Sequence, residues 1–322
     1  MARYGIEKEF KPGLDRLINL TDDTSVTVKR LGGEVIGYDV YDPCHKKHLP
    51  LLWNNNRETP PFDTAWKNHA TLLFPIVGGL RNDKSRTLDG KDILLKGNHG
   101  FARTSIFTPV FESTDDCAQI TYRLTDSDET RRVYPYAFLL ELTYTLKGNA
   151  LTLSFKVKNT GSLSLPCQFG WHPGFSTELG LGGKRNEWQF IFPDGRYRQY
   201  HVLASGDSFL TGKTSDRRLS GPITYSDHEL HCTVMYEIDD PANRRCRLFN
   251  PKLKRGVEVV FTDLPHLGLW ANADQEYLCI EPWQGMDDHA EQEPFDKKVG
   301  MLKLEPGEVV VRAASIIPIL EA

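Results

Sequence analysis

Apolar and polar residues alternate along several short stretches of the chain. In residues 151–158 (Leu-Thr-Leu-Ser-Phe-Lys-Val-Lys) every odd position is apolar and every even position is polar. Residues 140–146 alternate in the same way, and Lys147-Gly148-Asn149 separates the two stretches. A period of two is typical of a half-buried strand, and a short turn with Gly and Asn joins such strands into a hairpin. The pattern therefore predicts a hairpin here, with further strands at 120–125, 257–262 and 309–312.

Helical spacing is absent from the long stretches of the sequence. The 26 Gly and 19 Pro are spread along the whole chain, and no repeat or break in composition suggests a linker. Many short strands separated by turn residues are typical of a sandwich or a closed pair of sheets. We therefore predict an all-β protein in which residues 1–322 form one antiparallel domain.

The charge balance and the cysteine pattern exclude several classes of protein. With 39 basic and 43 acidic residues the formal net charge is −4, whereas proteins that bind nucleic acid or anionic membranes usually carry a basic excess. No apolar stretch approaches the roughly 18–20 residues of a membrane-spanning helix, and the charged N-terminal residues do not resemble a signal peptide. The six cysteines form no Cys-x-x-Cys pair, which favours free thiols in a reducing compartment. The sequence predicts a cytoplasmic protein without nucleic-acid or membrane partners, and it makes no prediction about the oligomeric state.

Two histidine-containing strings resemble metal-binding motifs but have the wrong spacing. Cys44-His45 with His48 lacks a second pair of ligands at zinc spacing, which favours an exposed polar loop. His228 and His231 are three residues apart, whereas the zincin motif places two histidines four apart on a helix. The residues around them favour an extended chain, in which the two imidazoles would point to opposite faces. We therefore expect no metal site at either string.

Four polar residues lie in apolar segments rich in Gly and Pro. The segments are residues 74–82, which contain Arg81, residues 98–103, which contain His99, and the strings Trp171-His172-Pro173 and Ile280-Glu281-Pro282. A solvated side chain needs no such surroundings. The four segments together predict a rigid, partly desolvated pocket that holds two His, one Arg and one Glu.

Each of these residues also has a simpler structural interpretation. His99 lies in an ordinary Asn-His-Gly turn, and His172 before a proline is compatible with a hydrogen-bonded core histidine. Glu281 could end a strand, and Arg81 could pair with Asp83 at the surface. The functional hypothesis therefore depends on the four segments taken together.

At these segments the sequence resembles the aldose 1-epimerase (galactose mutarotase-like) family, and it is most similar to the branch found in lactose operons. Five blocks of the family occur in the family's order, so that the resemblance covers about residues 70–310. The blocks are Phe-Pro-Ile-Val-Gly-Gly-Leu-Arg-Asn at 74–82, His-Gly-Phe-Ala-Arg at 99–103, His-Pro-Gly-Phe at 172–175, Ile-Glu-Pro-Trp-Gln-Gly-Met-Asp-Asp at 280–288, and the closing Lys-to-Glu pattern at 298–308.

The resemblance implies a β-supersandwich of antiparallel strands and a set of residue roles. It assigns His172 as the general acid, Glu281 as the general base, and Arg81 and His99 as residues that bind the substrate. The family's substrate-binding Asp is matched less closely, by Asp227. The sequence departs from the family there and in the Phe-Gly-Trp that precedes His172.

The implied reaction is the interconversion of the α and β anomers of a hexose by ring opening, which needs a base at the anomeric hydroxyl and an acid at the ring oxygen. It requires neither a cofactor nor a metal. The implied substrate is an aldohexose or its phosphate. A phosphate would need nearby cations, for which Lys84, Arg103 and Arg131-Arg132 are candidates. A non-catalytic carbohydrate-binding protein on the same fold is the third hypothesis, although a pure binder needs neither His172 nor Glu281.

Overall fold

The computed structural model describes residues 3–53, 66–203, 208–272 and 276–321. Strands dominate the described residues, and the two α-helices are only one turn or slightly more in length. The strands are β1 (Tyr4–Lys11), β2 (Leu14–Asn19), β3 (Thr24–Lys29), β4 (Glu34–Asp42), β5 (Lys47–Pro50), β6 (Ala70–Leu73), β7 (Ser85–Arg86), β8 (Asp92–Ile93), β9 (Thr108–Ser113), β10 (Ala118–Thr125), β11 (Phe138–Lys147), β12 (Ala150–Asn159), β13 (Leu165–Cys167), β14 (Phe169–Ser176), β15 (Gln189–Val202), β16 (Leu210–Ile223), β17 (Val234–Glu237), β18 (Arg245–Asn250), β19 (Arg255–Val260), β20 (His266–Trp270), β21 (Tyr277–Gln284), β22 (Leu302–Leu304) and β23 (Val309–Leu320). The α-helices are α1 (Asp128–Val133) and α2 (Asp227–His231), and the short 3-10 or π segments are Arg81–Asp83, Ala102–Thr104, Thr177–Leu181, Arg185–Glu187, Pro241–Asn243 and Phe295–Lys297.

The strands form two main sheets. Within the described residues, paired strands run antiparallel to each other. The first five strands form a meander in chain order. A 14-stranded sheet has the order β6-β14-β21-β20-β17-β15-β18-β19-β23-β12-β11-β10-β9, with β16 beside β15. Two small two-stranded sheets, β13-β22 and β7-β8, complete the architecture. The prediction of an all-β antiparallel fold is confirmed.

Strands are present at each of the predicted positions, although β19 ends at Val260, two residues before the predicted end at 262. β11 and β12 pair from Phe138 with Asn159 to Lys147 with Ala150, which leaves Gly148 and Asn149 as the hairpin turn. Gly148 has φ +57, a left-handed conformation that glycine adopts without steric cost. The odd positions of 151–157 are buried, and the alternation therefore reports one face of the sheet packed on the core.

The two main sheets share one hydrophobic core. Residues of both sheets belong to the same buried cluster, which includes Val28 of the first sheet and Leu142 of the second. Polar links cross this core, because the Tyr122 hydroxyl donates to Asp15 at 2.9 Å and the Tyr144 hydroxyl donates to the Gly33 carbonyl at 2.7 Å. The meander thereby contacts both ends of the large sheet's strand order, with β4 next to β6 at one end and β1 and β2 next to β9, β10 and β11 at the other.

Among the described residues, no helix has both the length and the apolar character that crossing a bilayer requires.

Candidate active site

Two neighbouring strands of the large sheet, β14 and β21, are buried along their whole length. Their register pairs Gly170 with Trp283 and Gly174 with Cys279. The same register places His172 opposite Glu281, midway between these two pairs. Since residues directly opposite in antiparallel strands project to the same face, all three pairs lie on one face of the sheet.

Glycines on β14 make room for two large indoles on this face. A Cβ at Gly170 would lie 2.5 Å from Cδ1 of Trp283, and a Cβ at Gly174 would lie 2.7 Å from the ring of Trp66. Real Cβ atoms do not come so close, so a larger residue at either position would displace an indole. The positions two residues before and after His172 on β14 are therefore glycines, and Trp283 and Trp66 occupy the space next to them.

His172 and Glu281 are in direct contact. Nε2 of His172 lies 3.1 Å from Oε2 of Glu281, and the two residues are 6% and 1% exposed. Nδ1 of His172 and Oε1 of Glu281 are buried and have no hydrogen-bond partner among the described residues. Buried polar atoms usually have partners, so these two atoms are available to a bound molecule.

Burial controls the charge of this pair. It raises the pKa of Glu281 well above the usual value. It also lowers the pKa of His172 well below the usual value, and the neighbouring His99 and Arg103 lower it further. Both shifts favour the uncharged groups, so the pair holds one proton over a wide pH range.

His99 is held next to His172 by its backbone. It has φ +71, a strained conformation for a residue with a Cβ, and the two imidazole centroids are 5.5 Å apart. The Gly78 N–H donates to Nδ1 of His99 at 3.1 Å, and this bond assigns the ring proton to Nε2. Burial, followed by the charge of Arg103, lowers the pKa of His99 to about 3. His99 is therefore a neutral hydrogen-bond donor at physiological pH.

Arg103 is the cation of the site. It lies in the short segment Ala102–Thr104 and lines the same cavity as His99 and His172. With the side-chain amide of Asn68 oriented to satisfy its neighbours, the amide oxygen accepts from Arg103 at 2.7 Å and from Nε1 of Trp66 at 3.1 Å. Arg103 forms no ion pair with another described residue. Burial lowers its pKa, which is typical of a cation kept partly away from water.

Three tryptophans form most of the apolar part of the cavity wall. Trp66, Trp270 and Trp283 all line it. The ring of Trp66 is 4.8 Å from that of His172 and tilted by 31° against it, while the Trp270 ring meets His172 edge-on at 5.5 Å. The imidazole is thus enclosed by aromatic rings on two sides.

The cavity has a volume of about 390 Å³, within the range of small-molecule sites. On the wall formed by the segment after β21 lies Asp287, whose Oδ1 accepts the N–H groups of Gly79 and Asp288, both at 2.8 Å. The Ser208 hydroxyl donates to Oδ2. Burial raises the pKa of Asp287, while the charge of Lys298 opposes this rise.

Two residues that were expected in the site lie outside the cavity. The Arg81 side chain is exposed and donates to the Ala290 carbonyl, and its backbone N–H is held by Asp288 at 3.3 Å. Asp227 is exposed on α2 and pairs with Arg185 at 2.8 Å. The structure brings His99, His172 and Glu281 together and does not bring Arg81 or Asp227 to them.

The expectation of an extended chain at His228 and His231 is wrong, because these residues lie in α2. Ser226 caps this helix: its side chain accepts from the Glu229 N–H at 3.2 Å, and Glu229 accepts from the Ser226 N–H at 2.8 Å. This capping box, Ser-x-x-Glu, is readable in the sequence. The helix places His231 at the edge of the cavity.

The cations considered for a phosphate group are scattered. Arg103 lines the cavity, while Lys84 lines an adjoining groove that shares Asn98 and Arg103 with it. Arg131 pairs with Asp126 at α1, and neither Arg131 nor Arg132 lines the cavity.

Comparisons with known proteins agree with this architecture. The model of the aldose 1-epimerase family matches residues 16–313. The plasmid-encoded LacX protein of Lactococcus lactis is 26% identical over 279 residues, which cover 83% of this chain and 87% of that protein. A galactose mutarotase related enzyme from Lactobacillus acidophilus has a structure that superposes with a TM-score of 0.81 at 28% identity, covering 94% of this chain and 98% of that one. A galactose mutarotase-like protein from Lactobacillus casei shares the fold, with a TM-score of 0.78 at 22% identity, over 94% and 98% of the two chains.

Proposed function

Because the chain belongs to the aldose 1-epimerase family, we propose that it interconverts the α and β anomers of an aldohexose by acid- and base-catalysed ring opening. The observation that carries this proposal is the contact between His172 and Glu281 at 3.1 Å on the floor of the cavity. A buried acid and a buried base with unpartnered atoms are costly to a fold, and they are suited to proton transfer.

In the proposed reaction Glu281 removes the proton of the anomeric hydroxyl while His172 protonates the ring oxygen. The bond between the anomeric carbon and the ring oxygen then breaks, and an aldehyde forms. Rotation about the bond next to the aldehyde carbon presents its other face, and the reverse proton transfers close the ring. Each positioned group typically contributes about 10²–10⁴-fold to the rate.

The proton count of the pair stays constant through this reaction. One proton arrives at Glu281 as another leaves His172, so the pair holds the same number before and after ring opening. The uncharged pair and the ion pair differ only in where one proton lies along the 3.1 Å contact. A sugar hydroxyl that donates to Glu281 favours the carboxylate, and thereby places the shared proton on His172.

In this proposal the other residues of the cavity wall recognise the sugar. Nε2–H of His99 and the guanidinium of Arg103 are donors for sugar hydroxyls, and the carboxylate of Asp287 is an acceptor. The indole of Trp66 offers a face on which the C–H groups of a pyranose ring can pack.

A 6-phosphorylated hexose is the second candidate substrate. The adjoining groove is lined by Lys84, Lys96 and Arg103, and Arg103 also lines the cavity. A phosphate at the far end of the sugar would find its countercharges there.

The deciding experiment measures mutarotation by polarimetry or by NMR exchange for a panel of free and 6-phosphorylated aldoses. We expect catalysis with at least one aldohexose or its phosphate, and a rate lower by about 10²-fold or more in the folded Glu281→Gln variant. Saturable binding of sugars by the wild-type protein without any acceleration would instead identify a carbohydrate-binding protein.

A further inference from the structure

A thiol lies beside the acid/base pair and has no part in the proposed reaction. Cys279 precedes Glu281 by two positions on β21, so that both side chains project to the same face. Donor atoms of His172, Cys279 and Glu281 all lie within 4.8 Å of one another, and the three residues are buried.

These three donors are the types that zinc prefers. Imidazole nitrogen, thiolate sulfur and carboxylate oxygen bind Zn²⁺ at about 2.0–2.3 Å in tetrahedral sites. Such bond lengths place the donors roughly 3–4 Å apart, and the pair already has a 3.1 Å separation between Nε2 and Oε2. The donor atoms all lie within 4.8 Å of one another, so the separation that involves the sulfur has to shorten by roughly 1 Å when a metal binds.

A second observation points to a ligand at this place. Nδ1 of His172 and Oε1 of Glu281 are buried without hydrogen-bond partners among the described residues, and each residue is more than nine-tenths buried. Both residues also line the cavity, whereas Cys279 is not among the described residues that line it. An ion can therefore enter from the sugar side, and a fourth ligand, water, can remain in the cavity.

We propose that His172, Cys279 and Glu281 form an inhibitory site for Zn²⁺, in which the metal and the sugar exclude one another. Binding forms three metal–ligand bonds and releases to water the thiol proton and the proton held by His172 and Glu281. No oxidant or reductant takes part. The metal-binding part of this proposal stands alone, while the inhibition rests on the proposed epimerase function.

Cobalt provides a readout that does not depend on turnover. Co²⁺ occupies zinc sites, and its spectrum distinguishes tetrahedral ligation and shows a charge-transfer band when a thiolate is bound. We expect the metal-free, full-length protein to bind one Co²⁺ with both signatures, and Zn²⁺ to displace it in competition with a chromophoric chelator.

The variants that test the site are Cys279→Ser and Cys279→Ala. Each should abolish the charge-transfer band and weaken Zn²⁺ binding by more than the roughly 10–100-fold that loss of an outer-shell partner costs. Cys167→Ala is the control matched for burial, and Cys44→Ser removes the exposed thiol next to His45. Both controls should retain the band and the affinity.

The outcomes separate the two proposals. Absence of the thiolate band in the wild-type protein, or its persistence in Cys279→Ala, overturns the metal site whether or not the protein is an epimerase. If one Cys279 variant fails to fold, the other Cys279 variant decides, and a wild-type protein without the thiolate band still overturns the site. Metal binding with the expected band in a protein that catalyses no mutarotation supports the site and overturns the function, while mutarotation that Zn²⁺ does not inhibit overturns the inhibition.

Discussion

His172 and Glu281 face each other from adjacent strands at 3.1 Å, and burial drives both groups toward their uncharged forms. The pKa of His172 is lowered and that of Glu281 is raised, so one buried environment shifts both the proposed acid and the proposed base. This relationship leads to the first three predictions.

Glu281→Gln and His172→Ala should each slow mutarotation by about 10²-fold or more, because neither remaining group can both take and give a proton. The double variant should be little worse than either single variant, since the two residues act as a unit. Initial rates by polarimetry test this, with circular dichroism to establish that each variant is folded. A folded Glu281→Gln protein with a near wild-type rate would contradict the mechanism.

The pH profile of kcat/KM on an uncharged sugar should have a broad plateau. Below the lowered pKa of His172 the pair gains a second proton and loses its base. Above the raised pKa of Glu281 the pair loses its last proton and its acid. The acid limb should therefore lie well below pH 6.5, the ordinary value for His. An acid limb near 6.5 would show that His172 titrates as a solvated imidazole.

Glu281→Gln should stabilise the protein, and the gain should grow with pH. A carboxyl whose pKa is raised in the folded state stabilises fully below its unfolded value, near 4.3, and loses that stability as pH rises toward the folded value. Gln has no proton to lose, so the difference in unfolding free energy should widen by about 1.4 kcal/mol per pH unit over this window. Urea denaturation at several pH values measures it, and an equal or lower stability of the variant at pH 8 would contradict the prediction.

Arg103→Ala should weaken sugar binding, while Arg81→Ala should not. Loss of a charged hydrogen bond typically costs about 1.5–3 kcal/mol, which corresponds to a rise in KM of roughly 10–100-fold. Arg81→Ala is the matched control, because Arg81 follows a similar Gly-rich loop but its side chain contacts Ala290 outside the cavity. Saturation kinetics of both variants test the assignment, and the reverse ranking would return the role to Arg81.

Glu34→Gln should lower the unfolding free energy by about 2–3 kcal/mol at pH 7. Burial alone would raise the pKa of Glu34, but its bonds to His69 and the charge of Lys29 outweigh burial and set it at about 2. A carboxyl with a lowered pKa contributes stability above its unfolded pKa, and this contribution is lost as pH falls through its folded pKa. The difference in unfolding free energy between Glu34→Gln and the wild type should therefore shrink between pH 4.3 and 2. Glu112→Gln, on the exposed face of β9, is the control, and a loss that does not depend on pH would contradict this explanation.

Alternation of apolar and polar residues is clearest where one face of the sheet is exposed. β10, β11 and β12 have one buried and one partly exposed face, and the period of two is visible in their sequences. The predicted strands β19 and β23 do not alternate strictly. β14 and β21 are buried on both faces, so their residues do not alternate. The two strands that hold the proposed acid and base are thus the ones whose pattern is least informative.

The sequence predicted the site residues whose position is determined by the backbone. It did not predict which arginine reaches the cavity, because that depends on the direction of a long side chain. His172 and Glu281 lie in strands, the backbone of His99 is bonded to those of Phe74 and Gly78, and the apolar segments around all three indicated a buried pocket. Arg81 and Arg103 follow similar Gly-rich loops, and only the tertiary structure shows which guanidinium enters the cavity. That residues 1–322 form a single domain stays a prediction.

The position of the pair on two fully buried neighbouring strands has a consequence for how sugar preference can change. His172 and Glu281 are fixed by the register of β14 and β21, whereas Trp66, Arg103 and Asp287 reach the cavity from segments outside the strands. Substitutions in those segments can reshape the hydroxyl pattern that the cavity accepts and leave the proton-transfer unit intact. The fold therefore allows substrate range to diversify independently of reactivity, and a library confined to the surrounding segments is the natural starting point for engineering a new sugar preference.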